Sequence, residues 1–167
     1  MKKQIKIAGP LTVMIALLLL GGCTQKQPVS PSPNSFILSI QPPDQAIDVP
    51  VTASIQVVFA FPMDTASVVA NFCLVGGEKM YEVMDSLQHS KMDYQHMLEW
   101  MHQFSRSGHL RWNSYRDSCV FLPDSMLKQH SQYMIYMGRE MQSMHQERMG
   151  EHKEMMGKDL ITHFTTQ

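Results

Sequence analysis

The sequence has no excess of either charge. Lys and Arg number 14 against 15 Asp and Glu, a formal net charge of −1, and no basic patch or arm collects for nucleic acid. It contains no G-x-S-x-G elbow, no H-E-x-x-H, no glycine-rich phosphate loop and no C-x-x-C pair. Catalysis therefore finds no support, since scattered Ser, His and Asp do not make a triad without geometry. The longest apolar run, Leu11 to Leu20 interrupted by Thr12, is too short to span a bilayer, which takes about 20 residues. Cysteine is scarce, with Cys23, Cys73 and Cys119 the only three.

What is present begins with an export signal. Lys2, Lys3 and Lys6 precede the apolar run, and small residues follow it in Leu20-Gly21-Gly22-Cys23. A basic start, a short apolar stretch and small residues at the cut make a secretory signal. The four residues resemble a bacterial lipobox, which implies cleavage before Cys23 and lipid attachment to it; the bland alternative is a plain signal beside an incidental cysteine. Thr24, where an Asp would retain an inner-membrane lipoprotein, resembles the outer-membrane sorting pattern. The expected location is thus the cell envelope, facing the periplasm or the exterior. Residues 24–35 read TQKQPVSPSPNS, too rich in Pro and polar residues to bury a core, and form an extended tether. The organisation expected is a signal over 1–22, the lipidated cysteine and tether over 23–35, and one domain over 36–167.

The domain opens with strand signals. Phe36, Leu38 and Ile40 alternate with Ile37 and Ser39, and Ile55, Val57 and Phe59 line one face of a second strand. Pro62-Met63-Asp64 breaks it, Asp64 or Thr65 caps a short helical turn through Val69, and Asn71 to Val75 forms a third strand. Pro43-x-x-Ala46-x-x-Val49-Pro50, the strand ending at Phe59, Pro62-Met63-Asp64 with Ser67 and Val68, and Asn71-Phe72-x-Leu74 together resemble a bacterial Ig-like domain of the SbsA type, found in S-layer proteins. Gly108 to Trp112, Val120-Phe121-Leu122-Pro123 with Leu127, Tyr133 to Tyr136, and Leu160 to Thr166 are similar to its later strands in order. The resemblance implies an all-β, Ig-like antiparallel β-sandwich, an architectural module with no catalysis of its own. In an exported chain Cys73 and Cys119 either join in a disulfide or remain two buried thiols.

Two stretches depart from that family, about 76–107 and about 138–157, and both read as helical insertions. They concentrate the sequence's unusual feature, 16 methionines and eight histidines against a residue type that is ordinarily uncommon. In the first, Val83, Leu87, Tyr94, Leu98 and Met101 cluster on one side, with Met80 and Met84 nearby, as a face for packing on the sandwich. His89, Met92 and His96 fall within about 60° on the other side. In the second, Met141, His145, Met149, His152 and Met156 fall within roughly 80° of one another on a helix. Met at i and His at i+4 share a helical side, and soft sulfur with imidazole selects Cu(I), and by the same softness Ag(I). Thioethers also survive an oxidising compartment where thiols pair off. These residues are the candidate metal ligands. The competing reading is packing, since Met fills irregular gaps; Met80, Met84, Met97, Met101, Met134 and Met137 are assigned to it, and Met63 to a structural position of the fold. His109, His130 and His163 stand isolated.

The expected function is a non-enzymatic envelope lipoprotein that binds Cu(I) or Ag(I) for buffering or tolerance. The alternative is a structural or adhesive module whose Met-rich helices bind an envelope protein partner.

Overall fold

A computed structural model describes residues 36–89, 91–147, 150–152 and 154–167, apart from the side chains of 78, 87–89, 145–147 and 150–152. The signal, the tether and Cys23 lie outside the described residues.

Strand β3 (Ile55–Phe59) shows the simplest local logic: Ile55, Val57 and Phe59 are buried while Gln56 is exposed, the period-2 pattern of a strand with one face on a core. It pairs antiparallel with β1 (Ile37–Gln41) and with β6 (Ser118–Pro123), and β6 pairs with β5 (Gly108–Trp112). The second sheet has the order β2 (Ala46–Val49), β10 (Leu160–Thr166), β7 (Gln132–Met137), β4 (Phe72–Gly76). Its β2–β10 pair is parallel and its other pairs antiparallel. Between the two sheets lies a core that includes Ile55, Val57, Phe59, Leu74, Phe121, Ile135 and Phe164. The chain is an all-β sandwich, as expected.

Strands β4 and β7 do not alternate between core and solvent. Phe72 and Leu74 face the inter-sheet core, whereas Cys73 and Val75 belong to a second buried cluster. Likewise Tyr133, Ile135 and Met137 enter the first core, and Met134 and Tyr136 the second. This sheet is therefore covered on both faces, which a continuous apolar run signals. The cover is helical. Helix α1 (Thr65–Asn71) is capped by Asp64, whose carboxylate accepts the N–H groups of Ala66 and Ser67. Helices α2 (Glu78–His89) and α3 (Tyr94–Phe104) follow β4. They bury Met80, Val83, Leu98 and Met101, with Met84, Tyr94 and Met97 partly buried, against the outer face of β4 and β7. The first insertion is thus helical and packs on the face expected, as a pair of helices rather than one.

The second insertion is not helical. Residues His145–Glu147 form β8 and Gly150–His152 form β9, an antiparallel hairpin with Glu147 opposite Gly150. Backbone pairing explains the difference. The Met144 N–H donates to the Pro62 carbonyl at 2.7 Å, the Asp64 N–H to the Gln142 carbonyl at 2.9 Å, and Met63 bridges Ser143. The segment extends the backbone already in place at 62–64, satisfying groups that a free-standing helix would leave bare.

Candidate metal centre

The hairpin keeps one register across its described residues. The Met156 N–H donates to the Met141 carbonyl at 2.9 Å and the Ser143 N–H to the Glu154 carbonyl at 2.9 Å. Gln142 bridges Met155, and His145, Gln146 and Glu147 stand opposite His152, Glu151 and Gly150. Successive residues of a strand alternate faces, so the Met141–Met156, Ser143–Glu154 and His145–His152 positions share one face.

This arrangement corrects the helical grouping of Met141, His145, Met149, His152 and Met156. On a helix, residues four apart approach to about 6 Å; on a strand they are two rungs apart, about 13 Å. Met141 and His145 are therefore not neighbours, nor are His152 and Met156. Met141 is fully buried in the inter-sheet core, and Met156 is partly buried against that core, so both thioethers serve packing. Met149 lies outside the described residues. The backbone register sets His145 opposite His152; their side chains are outside those described.

The other candidate set, His89, Met92 and His96, straddles a break. His89 closes α2, Met92 sits between the helices, and His96 stands in the first turn of α3. The angles of one continuous helix do not apply, and the side chain of His89 is outside those described. Met92 is exposed and lines a cavity of about 300 Å³ with Met97, Tyr136, Arg139 and Asp159. His96 is already engaged: its Nδ1 lies 2.6 Å from Asp93 Oδ2, and its N–H donates to Asp93 Oδ1 at 3.1 Å. The hydrogen bond to Asp93, and then its charge, raise the His96 pKa from its ordinary value.

Cys73 and Cys119 do not pair; both are free and buried. The second sheet separates them, because Cys119 faces the inter-sheet core and Cys73 the helical cover. Burial pushes both thiols up to about 12, so both stay protonated at neutral pH and neither is an activated nucleophile.

One functional candidate was missed by the sequence reading. His102 points its Nδ1 at Cys73 Sγ, 3.6 Å away, and its Nε2 lies 2.9 Å from the Ala70 carbonyl oxygen. The sequence offered one clue. Helix α3 buries Leu98 and Met101, which brings the next residue to the border of the packed face. Among the described residues no group of three or more His, Cys, Asp or Glu is placed to hold a metal ion.

No family model matches this chain, and no curated protein matches it. Solved structures do. An L,D-transpeptidase from Mycobacterium smegmatis is 16% identical over 78% of this chain and 38% of its own, with a TM-score of 0.41. The copper resistance protein PcoC from Escherichia coli is 14% identical over 78% of this chain and 98% of its own, at 0.41. Domains 1–6 of the surface layer protein SbsC are 12% identical over 77% of this chain and 13% of their own, at 0.38. The chain spans about two fifths of the transpeptidase chains, 39% of LdtMt1 for instance. S-layer domains thus stand beside an enzyme and a copper protein, so the likeness does not single out the SbsA type. Scores this low carry no functional weight.

Proposed function

We propose that this protein is a non-enzymatic envelope lipoprotein, anchored through Cys23, that binds Cu(I) or Ag(I) through His145 and His152. The observation that carries the reading is the hairpin register that sets these two histidines opposite one another. A bis-imidazole pair suits copper, and a d¹⁰ monovalent ion is satisfied by two ligands. The hairpin stands on backbone hydrogen bonds to Pro62 and Asp64, so its base is fixed by the sandwich. The role is buffering or tolerance of the ion at the membrane surface, with the tether over 24–35 giving the domain its reach.

Titration of the chain with Ag(I) and with Cu(I) under reducing conditions, followed by native mass spectrometry, tests this. In a Cys73→Ala background, the His145→Ala/His152→Ala double variant is expected to lose the ion bound by its parent, because it removes both proposed ligands. Met141→Leu is expected to leave affinity unchanged, because that thioether is in the core. A double variant that binds both ions as tightly as its parent sinks the assignment.

A further inference from the structure

We propose that Cys73 and His102 form a separate site for one soft monovalent ion, Cu(I) or Ag(I), held between Cys73 Sγ and His102 Nδ1. It shares the metal class of the hairpin but none of its residues, so either site can fail alone.

The geometry starts from the imidazole. A carbonyl oxygen only accepts hydrogen bonds, so the 2.9 Å contact between His102 Nε2 and the Ala70 oxygen places the ring proton on Nε2. Nδ1 is left as a lone pair, 3.6 Å from Cys73 Sγ. A ligating histidine characteristically donates its other ring N–H to a backbone carbonyl or carboxylate, which fixes tautomer and ring orientation. That supporting bond is already made. With bond lengths like those to zinc, about 2.3 Å for sulfur and about 2.0 Å for nitrogen, the 3.6 Å separation subtends an angle of roughly 110°. The ion would thus be bent between its two ligands, with a further position open.

The surroundings select the ion. Thiolate is the soft ligand that prefers Cu(I). Zinc would require a tetrahedral set of four, and no third His, Cys, Asp or Glu joins the pair among the described residues. Met101 and Met134 are buried in the same cluster as Cys73, so the nearby sulfur is thioether. His102 is the exposed member of the pair and lines a groove of about 540 Å³ with Ser105 and Phe72, whereas Cys73 is fully buried behind it. Binding forms a sulfur–metal bond and releases the thiol proton to solvent, with no change of oxidation state. Cys119 lies on the far side of the sheet and cannot join Cys73 in a disulfide.

The test uses the full chain with Cys23→Ser, so that the third thiol is absent. Cu(I) is added anaerobically and the ultraviolet thiolate-to-metal charge-transfer band is followed, together with proton release. The band is expected to saturate at one equivalent with one proton released, to persist in Cys119→Ala and in His145→Ala/His152→Ala, and to vanish in Cys73→Ala. In His102→Gln, whose amide can still donate to Ala70, affinity is expected to fall roughly tenfold or more. A band that survives Cys73→Ala, or that disappears with Cys119→Ala, overturns the site. Because Cys73 is fully buried, its replacement can disturb folding. His102 is exposed, so a folded His102→Gln that binds like its parent reduces the contact to a simple S–H···N hydrogen bond. Loss of total stoichiometry in the hairpin variant with the charge-transfer band intact would separate the two sites.

Discussion

Gly76 is a residue whose missing side chain the fold requires. It stands opposite Tyr133 in the β4–β7 ladder, and a Cβ on it would lie 2.0 Å from Tyr133 Cε1. Tyr133 cannot move aside cheaply. Its ring stacks on Phe164 with centroids 5.3 Å apart, and its hydroxyl accepts the Lys128 N–H at 2.8 Å. Gly76→Ala is therefore expected to cost about 1–3 kcal/mol, the usual penalty for overpacking a closed site. For a domain of this size that corresponds to a drop in Tm of several degrees, at about 2–4 °C per kcal/mol. An unchanged melting curve would show that the ring yields freely. Met141 makes the opposite point. It is one of the residues that composition marked as a ligand, and the inter-sheet core takes it up entirely.

At the scale of elements, α3 begins on an electrostatic lock. Asp93 is its cap, and its pKa is lowered below 3.8, first by the backbone hydrogen bond from His96 and then by that residue's side chain. The His96 pKa is raised above 6.5, by the Asp93 hydrogen bond first and its charge second. A raised histidine stabilises fully below its unfolded value and loses the contribution as pH rises through the folded one; a lowered carboxylate stabilises fully above its unfolded value and loses it as pH falls. The pair thus contributes fully between 3.8 and 6.5 and fades on both sides. An NMR titration of the His96 ring is expected to show a midpoint above 6.5 that moves down in Asp93→Asn; a midpoint indifferent to that change removes Asp93 as the cause. Other elements differ in how far the sequence announced them. Strand β3 was legible because Ile55, Val57 and Phe59 alternate, and α2–α3 because Val83, Leu98 and Met101 form one apolar face. Strand β2 was not, since Ile47 and Asp48 are exposed and leave no pattern. The hairpin was misread for a sharper reason: a spacing of four places residues on one face of a helix and equally on one face of a strand. Only the tertiary pairing with Pro62 and Asp64 decides between them, and that pairing has no local signature.

At the scale of the molecule, one sheet serves two cores, and the cysteines report on both. Cys119 lies in the inter-sheet core and Cys73 under the helices, so a titration of thiols reads the whole structure. Each is raised by burial from 9.0 to about 12. Between those values the unfolded chain gives up thiol protons that the folded chain retains, and stability must fall as pH rises. The slope approaches roughly 1.4 kcal/mol per pH unit for each thiol, fully present as stability below 9.0 and lost progressively toward 12. Tyr136, whose hydroxyl is also raised from 10.0 by burial, adds to the slope at higher pH. In the Cys23→Ser chain, Tm is therefore expected to decline once pH passes 9, and reductant at neutral pH is expected to leave it unchanged because no disulfide is present to break. Replacing Cys73 and Cys119 with Ala should flatten the curve between pH 9 and 10, before the tyrosine contributes. A curve equally steep without them would mean that the thiols are hydrated in the folded state and that the two cores are not closed around them.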